Sequence, residues 1–183
     1  DRRSLLFVGS FDRRKRLDII VEGYSKYREE LRGIELLLVG DGECFLETQN
    51  TIHKLNLEGS IKLLGRINDP DELALVYRRS LVSVSYGQAG LSVLQSLGNG
   101  VPFITTFNAI SGGEIAHIRD GMTGYLVDDN IDSFFTYILL ISKNEKIAAE
   151  LRLNALDHYR LHCSLENMVA SFLNIINEEL DTL

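Results

Sequence analysis

The chain has 183 residues, 45% of them hydrophobic and 25% charged, with a formal net charge of −7. That length supports one domain with a sizeable core, and no apolar run approaches the roughly 20 residues needed to cross a bilayer. The acidic balance disfavours nucleic acid as a partner, because duplex binders carry net basic surfaces. Cys44 and Cys163, the two cysteines, stand far apart, so inert thiols in a reduced, cytoplasmic setting are expected rather than a disulfide framework.

In chain order, Leu5–Gly9 reads as a strand. Apolar residues at 17, 20, 21, 24 and 27 then predict a helix over Leu17–Leu31. Ile34–Val39 is nearly all apolar, as a parallel strand covered on both faces should be. A helix over Phe45–Leu57 and a short strand over Ile61–Leu64 follow. Asp69-Pro70-Asp71-Glu72 is a helix start, with Asp69 as cap, Pro70 in the first turn and Glu72 closing a capping box. That helix runs to about Arg79. Leu81–Ser85 is a strand, a loop rich in small residues opens a short helix, and Gly100-Val101-Pro102 leads to the strand Phe103–Thr106. Thr123–Val127 is a further strand. From Asp132 the pattern is helical to the end, with Asn144 and Ser164 as N-caps. Repeated strand–helix order predicts an open, parallel, doubly wound α/β sheet in one domain.

Ligands of such sheets sit at the carboxyl ends of the strands. A cluster of bases, Arg13-Arg14-Lys15-Arg16, follows the first strand, and the loop Gly87-Gln88-Ala89-Gly90 follows Ser85. Both belong to that edge. Small residues let a ligand approach the backbone, and a helix start offers unpaired amides to a phosphate. The two segments together point to an anionic ligand; a solvated basic loop and a glycine needed only for a tight turn are the plain alternatives. Other signals carry less. Asp69-Pro70-Asp71 imitates a metal-binding Asp-x-Asp but is explained as a helix cap. His158 and His162 have the spacing of a zinc pair but no third ligand in view. Gly40-Asp41-Gly42 lacks the third glycine of a dinucleotide fingerprint. No metal and no other cofactor is expected.

Five segments in order resemble the nucleotide-sugar-binding C-terminal half of a GT-B-fold glycosyltransferase, of the retaining bacterial group 1 type. They are Phe7-Val8-Gly9-Ser10 with Lys15; Leu38-Val39-Gly40-Asp41-Gly42; Leu64-Gly65-Arg66-Ile67; Gly90–Ser96 with Gly100-Val101-Pro102; and Gly121–Val127, similar to a "DG.NG.LV" hairpin. The resemblance implies a Rossmann-like fold and a single donor-binding domain over residues 1–183, with an N-terminal acceptor domain outside this chain. It further implies transfer of a hexose or N-acetylhexosamine from a nucleotide diphosphate, UDP first, to a saccharide or lipid-linked saccharide hydroxyl in bacterial surface polysaccharide assembly. The implied location is the cytoplasm, the full-length protein being a candidate for the inner membrane face.

By the same resemblance Lys15 is the catalytic residue, stabilising charge on the leaving diphosphate as an oxyanion site does. Gly9, Ser10 and Arg14 flank it. Gly90, Leu91 and Ser92 offer donors to the distal phosphate, Gln95 reaches the ribose, and Gly87, Gln88 and Ala89 line the sugar pocket. Arg66 and Ile67 meet the base; Glu114 is a structural cap or a sugar contact. The chain departs from the family pattern at Gly87 and Gln95, where two glutamates are usual, at Ser10 for an arginine and at Arg16 for a glycine. A non-catalytic nucleotide-binding module and a GT-B sugar-nucleotide epimerase are therefore the alternatives.

Overall fold

The computed structural model describes residues 2–181. Six parallel strands form one sheet: β1 (Ser4–Val8), β2 (Glu35–Val39), β3 (Ile61–Gly65), β4 (Ser80–Val84), β5 (Phe103–Thr106) and β6 (Gly124–Val127), in the spatial order β3-β2-β1-β4-β5-β6. This is the Rossmann-like, doubly wound arrangement expected from the strand–helix alternation. Alternation along β1 divides the core. Leu5 and Phe7 face α1 (Leu17–Lys26), α2 (Phe45–Lys54) and α5 (Ile131–Lys143), whereas Leu6 faces α3 (Pro70–Arg79). A third cluster joins α4 (Ser92–Gly98) to α6 (Glu145–His162) through Val93, Leu97 and Ala155. The last helix, α7, spans Leu165–Asp181, and among the described residues no helix is long and apolar enough to cross a membrane.

The expected caps form. The Asp69 carboxylate accepts from the Asp71 amide at 2.9 Å, Asn144 from Ile147 at 3.1 Å and the Ser164 hydroxyl from Asn167 at 3.3 Å. Two helices stop earlier than their apolar periodicity suggests. α1 ends at Lys26, and turns through Gly33 (φ +83°) fold Leu31 back into the core at the head of β2. α2 ends at Lys54, because Asn56 takes a left-handed conformation and the Leu57 amide donates back to the Ile52 carbonyl. This Schellman closure keeps Leu57 in the core without helix. The segment before β6 is not a hairpin. β6 pairs parallel to β5, and residues 119–123 form only the turn that leads into it.

The sheet's outer layer is tight at Gly23. A Cβ there would lie 2.1 Å from Cε2 of Phe135, a fully buried ring stacked on Tyr27 at 5.2 Å. Gly23→Ala should gain about 1 kcal/mol of helix propensity yet lose more by overpacking, which costs about 1–3 kcal/mol. A lower melting temperature in calorimetry is the expected result; a rise would mean that Phe135 moves freely.

Candidate functional site

The strand order reverses between β1 and β4, and the carboxyl ends of the strands at this switch point are where a doubly wound sheet has its ligand crevice. Two loops border it. After β1 the chain forms a short turn, Arg13–Lys15, capped by Asp12, whose carboxylate accepts from the Arg14 amide at 3.0 Å. After β4 it runs through Ser85–Leu91 into α4. The Lys15 ammonium donates to the Gln88 carbonyl at 3.4 Å across 73 residues of sequence, and the Gly87 amide donates to the Lys15 carbonyl, also at 3.4 Å. The basic turn and the glycine loop thus share one wall.

Lys15 is 8% exposed. Burial lowers its pKa from the ordinary lysine value; Asp12 and Glu114 pull it back up, and Arg14 lowers it further. Among the described residues the amine has one acceptor, the Gln88 carbonyl, although an ammonium carries three donors. A buried charge so thinly partnered is costly, and an anion in the crevice would relieve it.

Gly9 stands beside this amine, since a Cβ there would lie 3.5 Å from Lys15 Cε. The Ser10 hydroxyl donates to Asp12 at 2.7 Å, and Arg14 pairs with Asp12 at 3.2 Å while remaining exposed. A surface pair of this kind is worth at most about 1 kcal/mol, so Arg14 is free to reorient. Arg16 adopts φ 49°, ψ 51°, with its guanidinium 5.3 Å from the Tyr86 ring centroid. The left-handed backbone explains why a glycine is usual at this position, and the cation–π contact offsets a cost of about 1 kcal/mol.

Gly87 is held by close approach. A Cβ there would fall 2.2 Å from the Arg14 carbonyl oxygen and 2.9 Å from Arg16 Cγ, so the basic turn fills the space where a side chain would stand. Gln88 engages the site through its carbonyl, which accepts from Lys15 and from the Ser85 hydroxyl. Ala89 is fully buried and packs with Val93 and Phe103, so its methyl group does not face the crevice. Gly90 and Ser92 are half-buried and Leu91 is exposed; among the described residues no side chain caps α4. Gln95 is exposed one turn further on. Arg66 is exposed and Ile67 half-buried just beyond β3, on the same sheet edge but two strands from β1, about 10 Å away at ordinary strand spacing.

Glu114 belongs to this wall more firmly than sequence reading suggests. It opens the turn Glu114–His117, and its carboxylate accepts from the Ser111 hydroxyl at 3.0 Å and the Gly112 amide at 2.8 Å. Its other oxygen lies 3.9 Å from where a Gly90 Cβ would be. Its own amide, Ser111, Gly112 and the Lys15 charge hold its pKa below the usual carboxylate range, against burial. Basic residues also gather elsewhere. A cleft of about 950 Å³ at the amino ends of the strands is lined by Arg2, Arg3, Arg32, Arg78 and Arg152 among others. Only topology singles out Lys15.

Residues 1–158 match the family described as "Glycosyl transferases group 1". The chain belongs to this family. Among curated relatives it is 27% identical over 180 residues to a trehalose synthase of Pyrococcus horikoshii, covering 93% of this chain and 42% of that protein. It is 24% identical over 164 residues to a poly(ribitol-phosphate) alpha-N-acetylglucosaminyltransferase of Staphylococcus aureus, covering 89% and 33%. The fold matches that of S. aureus TarM, solved with fondaparinux, alpha-GlcNAc-glycerol and UDP, with a TM-score of 0.84 at 23% identity over 96% of this chain and 36% of that one. The chain therefore spans less than half of the relatives it matches.

Proposed function

We propose that this chain binds a UDP-sugar and forms the donor half of a glycosyltransferase that moves a hexose or N-acetylhexosamine to a saccharide or lipid-linked saccharide hydroxyl. The buried Lys15 ammonium at the switch point, with one acceptor among the described residues, carries this reading. In it the diphosphate lies between Lys15 and the start of α4, Lys15 stabilising charge on the leaving UDP. Gly9, Ser10 and a reoriented Arg14 border the diphosphate, and the amides of Gly90, Leu91 and Ser92 face its distal end. Gln95 meets the ribose, Arg66 and Ile67 the base. Gly87, Gln88 and Glu114 bound the sugar, and no metal is called for. Family membership supports the class of reaction, and the UDP in the TarM structure supports the nucleotide. The acceptor site belongs to an N-terminal domain outside this chain, consistent with its share of its relatives.

A thermal-shift panel of UDP, GDP, ADP and their sugars tests it. Ligand at 100 times its Kd stabilises by about 2.7 kcal/mol, or about 5–10 °C for a domain of this size. One UDP-sugar should exceed its rivals. Equal, negligible shifts across the panel would reject the assignment. Product analysis of the full-length protein with acceptor withheld separates a transferase, which stalls, from an epimerase, which releases nucleotide.

A further inference from the structure

Outside the crevice, three side chains converge that the linear sequence keeps apart. His117 ends the turn that Glu114 begins, His158 lies in the last part of α6, and Cys163 caps that helix. Nδ1 of His117 is 3.2 Å from Nε2 of His158 and 3.2 Å from Sγ of Cys163, and all three atoms lie within 4.8 Å of one another. His158 and Cys163 are each 8% exposed. The sequence spacing shows only the pair His158 and His162 with no third ligand; the fold brings His117 and Cys163 to His158 instead.

Hydrogen bonding alone serves this cluster poorly. Nδ1 of a neutral imidazole holds either one proton or one lone pair, and here it faces two partners at once. A cation among the three atoms satisfies them all. Zinc–nitrogen bonds of about 2.0–2.1 Å and a zinc–sulfur bond of about 2.3 Å, set tetrahedrally, place neighbouring ligand atoms roughly 3.3–3.6 Å apart; the two separations from His117 Nδ1 are close to that, and the His158–Cys163 pair, within 4.8 Å, closes onto the ion by side-chain rotation. Two imidazoles and a thiolate suit zinc.

We propose that His117, His158 and Cys163 form a zinc site, with a water in the fourth position, that ties the turn bearing Glu114 to the end of α6. The ion acts structurally and takes no part in sugar transfer. The test uses the protein without a metal-affinity tag, stripped with chelator and dialysed against zinc. Elemental analysis should find one zinc per chain and a raised melting temperature, and the cobalt(II) form should show a thiolate-to-metal absorption. Cys163→Ser should abolish that absorption, and both it and His158→Asn should weaken zinc binding about tenfold or more, since loss even of outer-shell support has that effect. Should His158→Asn not fold, the near-isosteric Cys163→Ser carries the test alone. Folded wild-type protein that retains no zinc would overturn the proposal, as would unchanged affinity and spectrum in Cys163→Ser.

Discussion

Lys15→Met is expected to raise the melting temperature of the free protein and to remove its response to UDP-sugars. The two effects have opposite signs for one reason. Among the described residues the ammonium is buried with a single acceptor at 3.4 Å, and exchanging a poorly compensated buried charge for a hydrophobic side chain of similar volume is often stabilising, by about 1–4 kcal/mol. The same charge, once paired with a diphosphate, is worth about 2–5 kcal/mol to binding, since truncating one member of a buried charge pair costs that much. Affinity should fall about 30-fold or more. Calorimetry with and without ligand reads both quantities. If the variant loses stability and still binds, Lys15 is a structural residue and the crevice is not a diphosphate site.

Gly87→Glu is expected to damage the protein although it restores the family's usual residue. The position has no room, because a Cβ would stand 2.2 Å from the Arg14 carbonyl oxygen. A backbone atom cannot swing aside as a side chain can. The basic turn must shift as a unit, breaking the Gly87–Lys15 backbone contact and the Lys15–Gln88 contact. Overpacking of this kind costs about 1–3 kcal/mol or more, and the added carboxylate brings negative charge to a site proposed to hold a diphosphate. Denaturant unfolding should show the stability loss, with Gly87→Ala giving a smaller one, and titration with UDP should show weaker binding. A gain in affinity at unchanged stability would mean that the turn is mobile and that the glycine is a lost catalytic position. As the structure stands, Gly87 and the left-handed Arg16 are linked departures: the turn that rests on the glycine carries the unusual arginine, whose guanidinium lies over Tyr86.

Element types were legible along the chain because each rests on local signals. Apolar runs mark the strands, and Asp69, Asn144 and Ser164 mark helix starts that the structure keeps. Helix ends were less so. α1 and α2 stop before their apolar periodicity does, since Leu31 and Leu57 reach the core through turns, the second by way of the left-handed Asn56, rather than along a helix axis. The crevice was legible in part. Lys15 and the glycine loop could be assigned to one sheet edge by strand count. Ala89 could not be told from a pocket residue, because its burial depends on α4 and α6 packing over it.

Composition, periodicity and short motifs determined by themselves that this is one parallel α/β sheet of the group 1 kind, with a basic loop after its first strand and a small-residue loop after its fourth. Those features need only neighbours in sequence. The tertiary structure alone decided that Lys15 is buried, that Gly87 is forced by a backbone oxygen, that Glu114 shares the crevice wall, and that two histidines and a cysteine meet at the end of α6. Each is a contact across tens of residues, and a side chain's charge cost, free space and ligand partners are set by what surrounds it rather than by what precedes it in the chain.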